Sequence, residues 1–293
     1  LGIDISMREM FDTMGGGYNY VKVNPAENMT IFVLDKVNRN QQPKMANKLM
    51  NYNSIHGEQV GFIESPKTLE GKRQDVIRLQ MMGGEFCGNA ARSFAACMVF
   101  FHNSTIKKIK ERYFTSFEIS GVNELINCEV RNTEKENVFY SKVQMPLPQK
   151  IEKCSFSIDG KNIEVKKIEL CGITHFIVDA DEIENNDDLF SMIKRYMDRE
   201  KYDAFGIMYY DPLKYFLTPL VYVKATDSLL WERSCASGTT ALAVSLTSNE
   251  GEHNYTINQP GGILEVSTFY KNNNIKELTL AGPVEIVAKG VFY

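Results

Sequence analysis

Apolar and polar positions alternate through Tyr18-Asn19-Tyr20-Val21-Lys22-Val23, which predicts a half-buried strand just after Gly15-Gly16-Gly17. Thr30-Ile31-Phe32-Val33-Leu34 is apolar nearly throughout, the pattern of a strand covered on both faces. Lys44 to Tyr52 changes to helical spacing, with Met45, Leu49 and Met50 on one side. Gln59–Ile63 and Asp75–Gln80 read as strands again, and the Ala-rich stretch from Ala90 to Phe101 reads as a buried helix. Strands follow at Phe114–Ile119, Ile126–Val130 and Val138–Val143, before Pro146 and Pro148 punctuate the chain at a domain crossover.

The second half repeats the plan. Strands are expected at Cys154–Ile158, Ile163–Leu170 and His175–Val178, then an acidic loop from Asp179 to Asp188 and a helix from Leu189 to Met197. Further strands at Ile207–Tyr210 and Leu220–Lys224 lead to a helix over Thr239–Leu246 and three closing strands. Each half therefore holds a strand, a tight small-residue turn bearing a cysteine, and an Ala-rich buried helix. The two cysteines, Cys87 and Cys235, stand about half a chain apart, so internal duplication is the simplest account.

Composition narrows the function. With 43% hydrophobic and 24% charged residues, the 293-residue chain is a folded protein rather than a disordered one. A net charge of −4 argues against nucleic acid as a partner, and the strongest basic run, Lys107–Arg112, includes Glu111 and reads as a solvated strand edge. No apolar run is long enough to span a membrane, and Leu229-Leu230-Trp231 stops at Glu232. The residues before Met7 lack the basic start and apolar stretch of a signal peptide and read as a remnant. Six scattered cysteines form neither a disulfide framework nor a zinc set, which points to a reducing, cytoplasmic setting with no metal.

Cys87-Gly88-Asn89-Ala90 and Cys235-Ala236-Ser237-Gly238 each put a thiol immediately before a helix. The open N–H groups of a helix start, with the dipole behind them, attract an anion and favour a thiolate. If the halves face each other, a small carboxylate held by both starts has one sulfur on each face of its α-carbon. One thiolate can then remove the α-proton while the opposite thiol returns one. Charge builds on the carboxylate in the transition state, where preorganised N–H donors are most effective.

At these residues the sequence resembles the diaminopimelate epimerase superfamily of cofactor-independent racemases. Gly84–Arg92 is similar to the family's first cysteine motif, with Ala90 in place of a glycine, and Ser234–Thr239 to its second. Pro260–Val266 and Gly282–Val287 match the closing strands, so the likeness runs from about Met14 to the end. It implies an α/β (α+β) fold of two pseudo-symmetric domains, each a curved, mostly antiparallel sheet around a central helix. The domains would be 7–148 with the returning strand 280–293, and 149–279, with the active site in the cleft between them. It also implies that Cys87 and Cys235 are the catalytic pair, and that Gly88, Asn89, Ala236, Ser237 and Gly238 cradle the carboxylate. His175 falls where the family has G-N-P-H, and Glu232 with Arg233 resembles its Glu-Arg pair, so these position substrate or tune a thiol. Asn19 matches an N-terminal Asn that touches substrate. Arg92 matches a family position but reads as an ion-paired helix residue. No cofactor is implied, and family members commonly form homodimers.

Departures bear on substrate. The epimerases hold a distal amino-acid head with several Asn side chains; here Ile173 and Gly206 replace two of them, and only Ser234 separates the Glu-Arg pair from Cys235. Loss of buried polar partners weakens recognition of such a head by orders of magnitude. His56–Phe62 instead resembles the matching loop of the histidine racemases of opine-metallophore type, where a Glu at the Glu58 position recognises the imidazole. A carboxylate there can accept the ring N–H and favour its cation. The leading expectation is therefore a histidine racemase, with diaminopimelate epimerase second. A binding protein or a redox switch built on the thiols stands as the reading from another class; a PLP enzyme would need a lysine, and neither turn carries one.

Overall fold

The computed structural model describes residues 16–158, 160–183, 187–224 and 227–293. The opening segment, Gly15 and the middle of the acidic loop lie outside the described residues. By contact the chain divides into two units, one running to Gln144 and resuming at Ala281–Tyr293, the other Met145–Leu280.

In the first unit, β1 (Tyr18–Asn24) and β2 (Thr30–Val33) pair antiparallel. Helix α1 (Gln42–Met50), with Pro43 in its first turn, carries the chain across to β3 (Gln59–Glu64), which lies parallel to β2. A short helix α2 (Leu69–Arg73), capped by the Thr68 hydroxyl and absent from the periodicity reading, precedes β4 (Arg78–Met81). Asp75, expected to open that strand, instead takes a left-handed φ of 51° and turns the chain out of α2.

Helix α3 (Gly88–Phe100) leads to the exposed edge strand β5 (Lys107–Ile109), then β6 (Arg112–Ile119), β7 (Ile126–Asn132) and β8 (Val138–Gln144). The long final strand β17 (Asn274–Phe292) pairs with both β8 and β1, so the ladder closes on itself. Twelve of the thirteen residues of α3 are buried inside that ring, which explains a helix of Ala, Met, Val and Phe with almost no polar face. Phe94 meets Phe32 of β2 and Phe117 of β6 edge-on, with ring centroids 5.6 and 5.0 Å apart.

The second unit is the same construction. It comprises β9 (Lys150–Ile158), β10 (Lys161–Leu170), β11 (Ile173–Asp179), α4 (Asp187–Met197), β12 (Ala204–Asp211), β13 (Phe216–Val223), β14 (Ser228–Trp231), α5 (Ala236–Leu246), β15 (Gly251–Gln259) and β16 (Gly262–Lys271). Its pairs β10–β11, β11–β12, β12–β13, β13–β15 and β15–β16 run antiparallel, parallel, antiparallel, parallel, antiparallel. That is the order of senses in β1–β2, β2–β3, β3–β4, β4–β6 and β6–β7. Helices α1 and α4 occupy the first parallel crossover of each unit, and α3 and α5 the second. The expected duplicated α/β architecture is present pair by pair. Helix α3 begins two residues and α5 three residues earlier than the sequence pattern suggests, because the cysteine is itself the cap.

Candidate active site

Cys87 sits in extended geometry (φ −127°, ψ 115°) as the N-cap of α3, and its Sγ accepts from the Ala90 N–H at 3.4 Å. Sulfur at a cap leaves the remaining first-turn N–H groups directed past it, the polarity an anion requires. The strand end behind it fixes the turn. Ser120 donates to the Glu85 carbonyl at 2.7 Å, and a side chain on Gly121 would collide with the Phe86 backbone at 2.2 Å.

Asn89, in the first turn of α3, is joined to the loop residues by amide hydrogen bonds. Arg92 Nε donates to Asn89 Oδ1 at 3.1 Å, Asn89 Nδ2 donates to Asn28 Oδ1 at 3.1 Å, and Asn28 Nδ2 donates to Glu58 Oε2 at 2.8 Å. The turn thus brings Asn89 and the exposed Glu58 into one hydrogen-bonded chain. Asn19 is not part of it: it lies on β1, its N–H held by Asp35 at 2.5 Å and its buried Oδ1 without a partner among the described residues.

Arg92 corrects the expectation of an ion pair. It is fully buried, and no carboxylate among the described residues pairs with it; its donors go to Asn89 and, at 2.7 Å, to the Pro283 carbonyl. Burial pushes its pKa down to about 9, while the charge on Cys87 acts to raise it. A guanidinium one helical turn below the cap thus attracts an ionised sulfur there.

The second turn repeats the cap. Cys235 (φ −114°, ψ 105°) precedes α5, and its Sγ accepts from the Gly238 N–H, again at 3.4 Å. A Cβ on Gly238 would lie 2.2 Å from the Met208 sulfur and 3.2 Å from Cys235 Sγ, so a larger residue there would force Met208 to move. Here the brace is Gln259, whose Oε1 accepts from the Cys235 N–H at 2.8 Å while its Nε2 donates to Thr239. Ala236 and Gly238 are buried behind the sulfur.

Two side chains reach this thiol. His175 Nε2 lies 2.9 Å from Ser237 Oγ, which lies 3.6 Å from Cys235 Sγ. His175 therefore acts on the sulfur through a hydroxyl rather than directly. It is fully buried, and burial pushes its pKa down to about 3, so it is neutral at pH 7. Gly206 lies opposite it in the β11–β12 register, and a Cβ there would sit 2.5 Å from His175 Nδ1. The glycine that departs from the epimerase pattern thus makes room for the ring. Glu232 also reaches the sulfur. Burial first, then the Glu232 charge and hydrogen bond, push the Cys235 thiol well above its ordinary range. Arg233 is exposed and donates to the Pro260 carbonyl at 3.1 Å.

All six cysteines are free, and among the described residues no cluster of acidic, His and Cys side chains gathers to hold a metal. No described helix is long and apolar enough to cross a membrane. Asn28, Gln59 and Gln259 were not singled out by the sequence; nothing distinguishes a buried network amide from a loop amide until the partners are placed.

The fold recurs in solved enzymes of low sequence identity. A hydroxyproline epimerase from Agrobacterium vitis superimposes with a TM-score of 0.68 at 9% identity, over 94% of this chain and 92% of that one. A probable proline racemase from Agrobacterium radiobacter gives 0.67 at 10%, over 93% and 92%. Among sequences, the histidine racemase of Fusobacterium nucleatum is 36% identical over 279 residues, covering 94% of this chain and 97% of its own. That of Staphylococcus aureus is 29% identical over 278 residues, covering 94% and 97%. The chain is an isomerase of the racemase class. A family profile described as the histidine racemase CntK N-terminal domain matches residues 18–293, and the chain belongs to that family.

Proposed function

We propose that this racemase inverts the α-carbon of histidine, without a cofactor, by a two-thiol mechanism. The observation that carries the reading is the matched pair of cysteine caps, each with its sulfur on the N–H three residues ahead and each at the start of a buried helix. The α-carboxylate is held by the N–H groups of both helix starts, at Gly88, Asn89, Ala236, Ser237 and Gly238. Arg92 favours ionised sulfur at Cys87, so Cys87 rests as the base; Cys235, buried beside Glu232, rests as the acid. Cys87 takes the α-proton from one face and Cys235 gives its proton to the other. The pair then stands ready for the reverse direction. After that step Cys235 is the thiolate and Cys87 the thiol, so a second forward turnover needs a proton returned to Cys235 and one lost from Cys87. The Ser237 hydroxyl, which links Cys235 to His175, can donate a hydrogen bond to the Cys235 sulfur in its ionised state.

Glu58 supports histidine as the substrate, since an exposed carboxylate at this loop can accept an imidazole N–H. Ile173 and Gly206 leave a second amino-acid head without its amide partners, which disfavours diaminopimelate. The chemistry requires reduced thiols, which suits the cytoplasm, and family habit suggests a homodimer. The test is incubation with L-histidine in deuterated water without added cofactor. Deuterium should appear at Cα as D-histidine accumulates. Exchange with diaminopimelate or another amino acid but none with histidine would overturn the substrate; exchange with no amino acid would overturn the activity.

A further inference from the structure

We propose that Asn28 is a positioning residue for substrate recognition: it fixes the Glu58 carboxylate to the cysteine-bearing turn of α3. The inference rests on the reading of Glu58 as the group that meets the substrate ring, and it adds how that group is held.

The argument is one of donor and acceptor direction. A guanidinium can only donate. Arg92 Nε donates to Asn89 Oδ1, so the other end of that amide, Nδ2, must face Asn28 and donate to its Oδ1. Gln59 Nε2 donates to the same Oδ1 at 2.7 Å, so both lone pairs of the Asn28 carbonyl are used. A flipped Asn28 would set its NH2 against two other NH2 groups and its carbonyl against a carboxylate. Only one orientation satisfies the chain, and it presents an N–H to Glu58 Oε2 at 2.8 Å. A buried cation thereby dictates, through two amides, that the last member be an acceptor.

The backbone around Asn28 is held as firmly. Ala26 and Glu27 both take left-handed φ values of 62° and 59°, and the Glu27 N–H is bound by Asn24 Oδ1 at 2.6 Å. Thr30 Oγ1 closes on the Asn28 carbonyl at 3.1 Å, and Gln59 Nε2 also reaches Thr30 at 2.8 Å. The Glu58 N–H donates to the Met29 carbonyl at 2.7 Å, so carboxylate and amide are carried by two directly joined segments. Freedom lost before the substrate arrives need not be lost on binding, so the ordering should appear in KM rather than in the chemical step.

The experiment is steady-state kinetics on Asn28→Asp, Asn28→Ala and Glu58→Gln, with the double variant Asn28→Ala/Glu58→Gln. Asn28→Asp keeps the acceptor for Asn89 and Gln59 but turns a donor into a second carboxylate, so it tests the inference even if Asn28→Ala fails to fold. Either Asn28 variant should raise the KM for histidine about tenfold while kcat stays within about threefold, the signature of lost ground-state binding. In the Glu58→Gln background, Asn28→Ala should add less than about twofold, because a residue acting through Glu58 has nothing left to position. An undiminished effect there, or an unchanged KM in Asn28→Asp, overturns the Asn28 inference alone. An unchanged KM in Glu58→Gln removes Glu58 from substrate recognition and the inference with it.

Discussion

The two cysteine turns are alike in backbone and opposite in electrostatics. Their cap torsions agree within about 15°, and both sulfurs accept an N–H at 3.4 Å. Behind Cys87 lies a buried guanidinium; beside Cys235 lies a carboxylate, with a neutral imidazole one hydroxyl away. Duplication supplied one geometry twice, and divergence at a few contacting residues gave each copy a different charge. A reaction that removes a proton on one face and returns one on the other needs that inequality in the resting enzyme, since two thiolates or two thiols would leave one half-step unserved. Similar backbones therefore do not imply equal roles.

The most severe way to break the comparison is to remove each sulfur in turn. Cys87→Ser and Cys235→Ser should each lower histidine racemisation by about a thousandfold or more, with circular dichroism unchanged, because a hydroxyl neither ionises nor delivers a proton as a thiol does. Turnover retained in both would refute the two-thiol mechanism. Next come the neighbours that make the turns unequal. Arg92→Met removes the cation and should slow alkylation of Cys87 about tenfold, while Glu232→Gln removes the anion and should speed alkylation of Cys235 by a similar factor. Mass spectrometry of iodoacetamide-treated enzyme reads both sites at once. Changes of the same sign at the two cysteines would show that the charges are not what separates them.

Much of this was legible in the chain before any coordinates. The period-two runs, the two Ala-rich stretches and the paired Cys motifs specify strands, enclosed helices and caps through local rules of spacing and chemistry. Arg92 shows where such rules stop. A helix arginine is ordinarily exposed or ion-paired, and nothing local reveals that a closing strand, nearly two hundred residues further on, will bury it against Pro283. Gly206 was legible only as a departure from a pattern; its reason, the ring of His175 in the next strand, depends on register. Helix α2 escaped because five residues carry too little periodicity, and its stability comes from Glu118, which accepts from the Lys67 and Thr68 N–H groups across fifty residues of sequence. Asn28 likewise gains meaning only from three partners on other segments.

The mildest test asks whether the two turns differ in their response to acid. His175 ends the proton chain of the second turn as a buried neutral imidazole, with Nδ1 unpartnered among the described residues and a pKa near 3. In the unfolded chain the same ring titrates near its ordinary value of about 6.5. The folded value is depressed, so the unfolded state binds more protons in between. Stability contributed by the neutral ring is complete above about pH 6.5 and is lost as pH falls toward about 3. The slope should approach 1.4 kcal/mol per pH unit across that window, roughly one proton taken up on unfolding. In the first turn burial instead pushes the Glu85 carboxyl up, which favours the folded state as pH falls and so has the opposite sign, while Arg92 stays charged across this window. Urea unfolding at pH 7, 6, 5 and 4 measures the slope, and His175→Gln, which cannot titrate, should flatten it by about one proton while leaving the alkylation of Cys87 unchanged. Parallel loss of stability in wild type and variant would assign the acid response to other groups and leave the second turn no more acid-sensitive than the first.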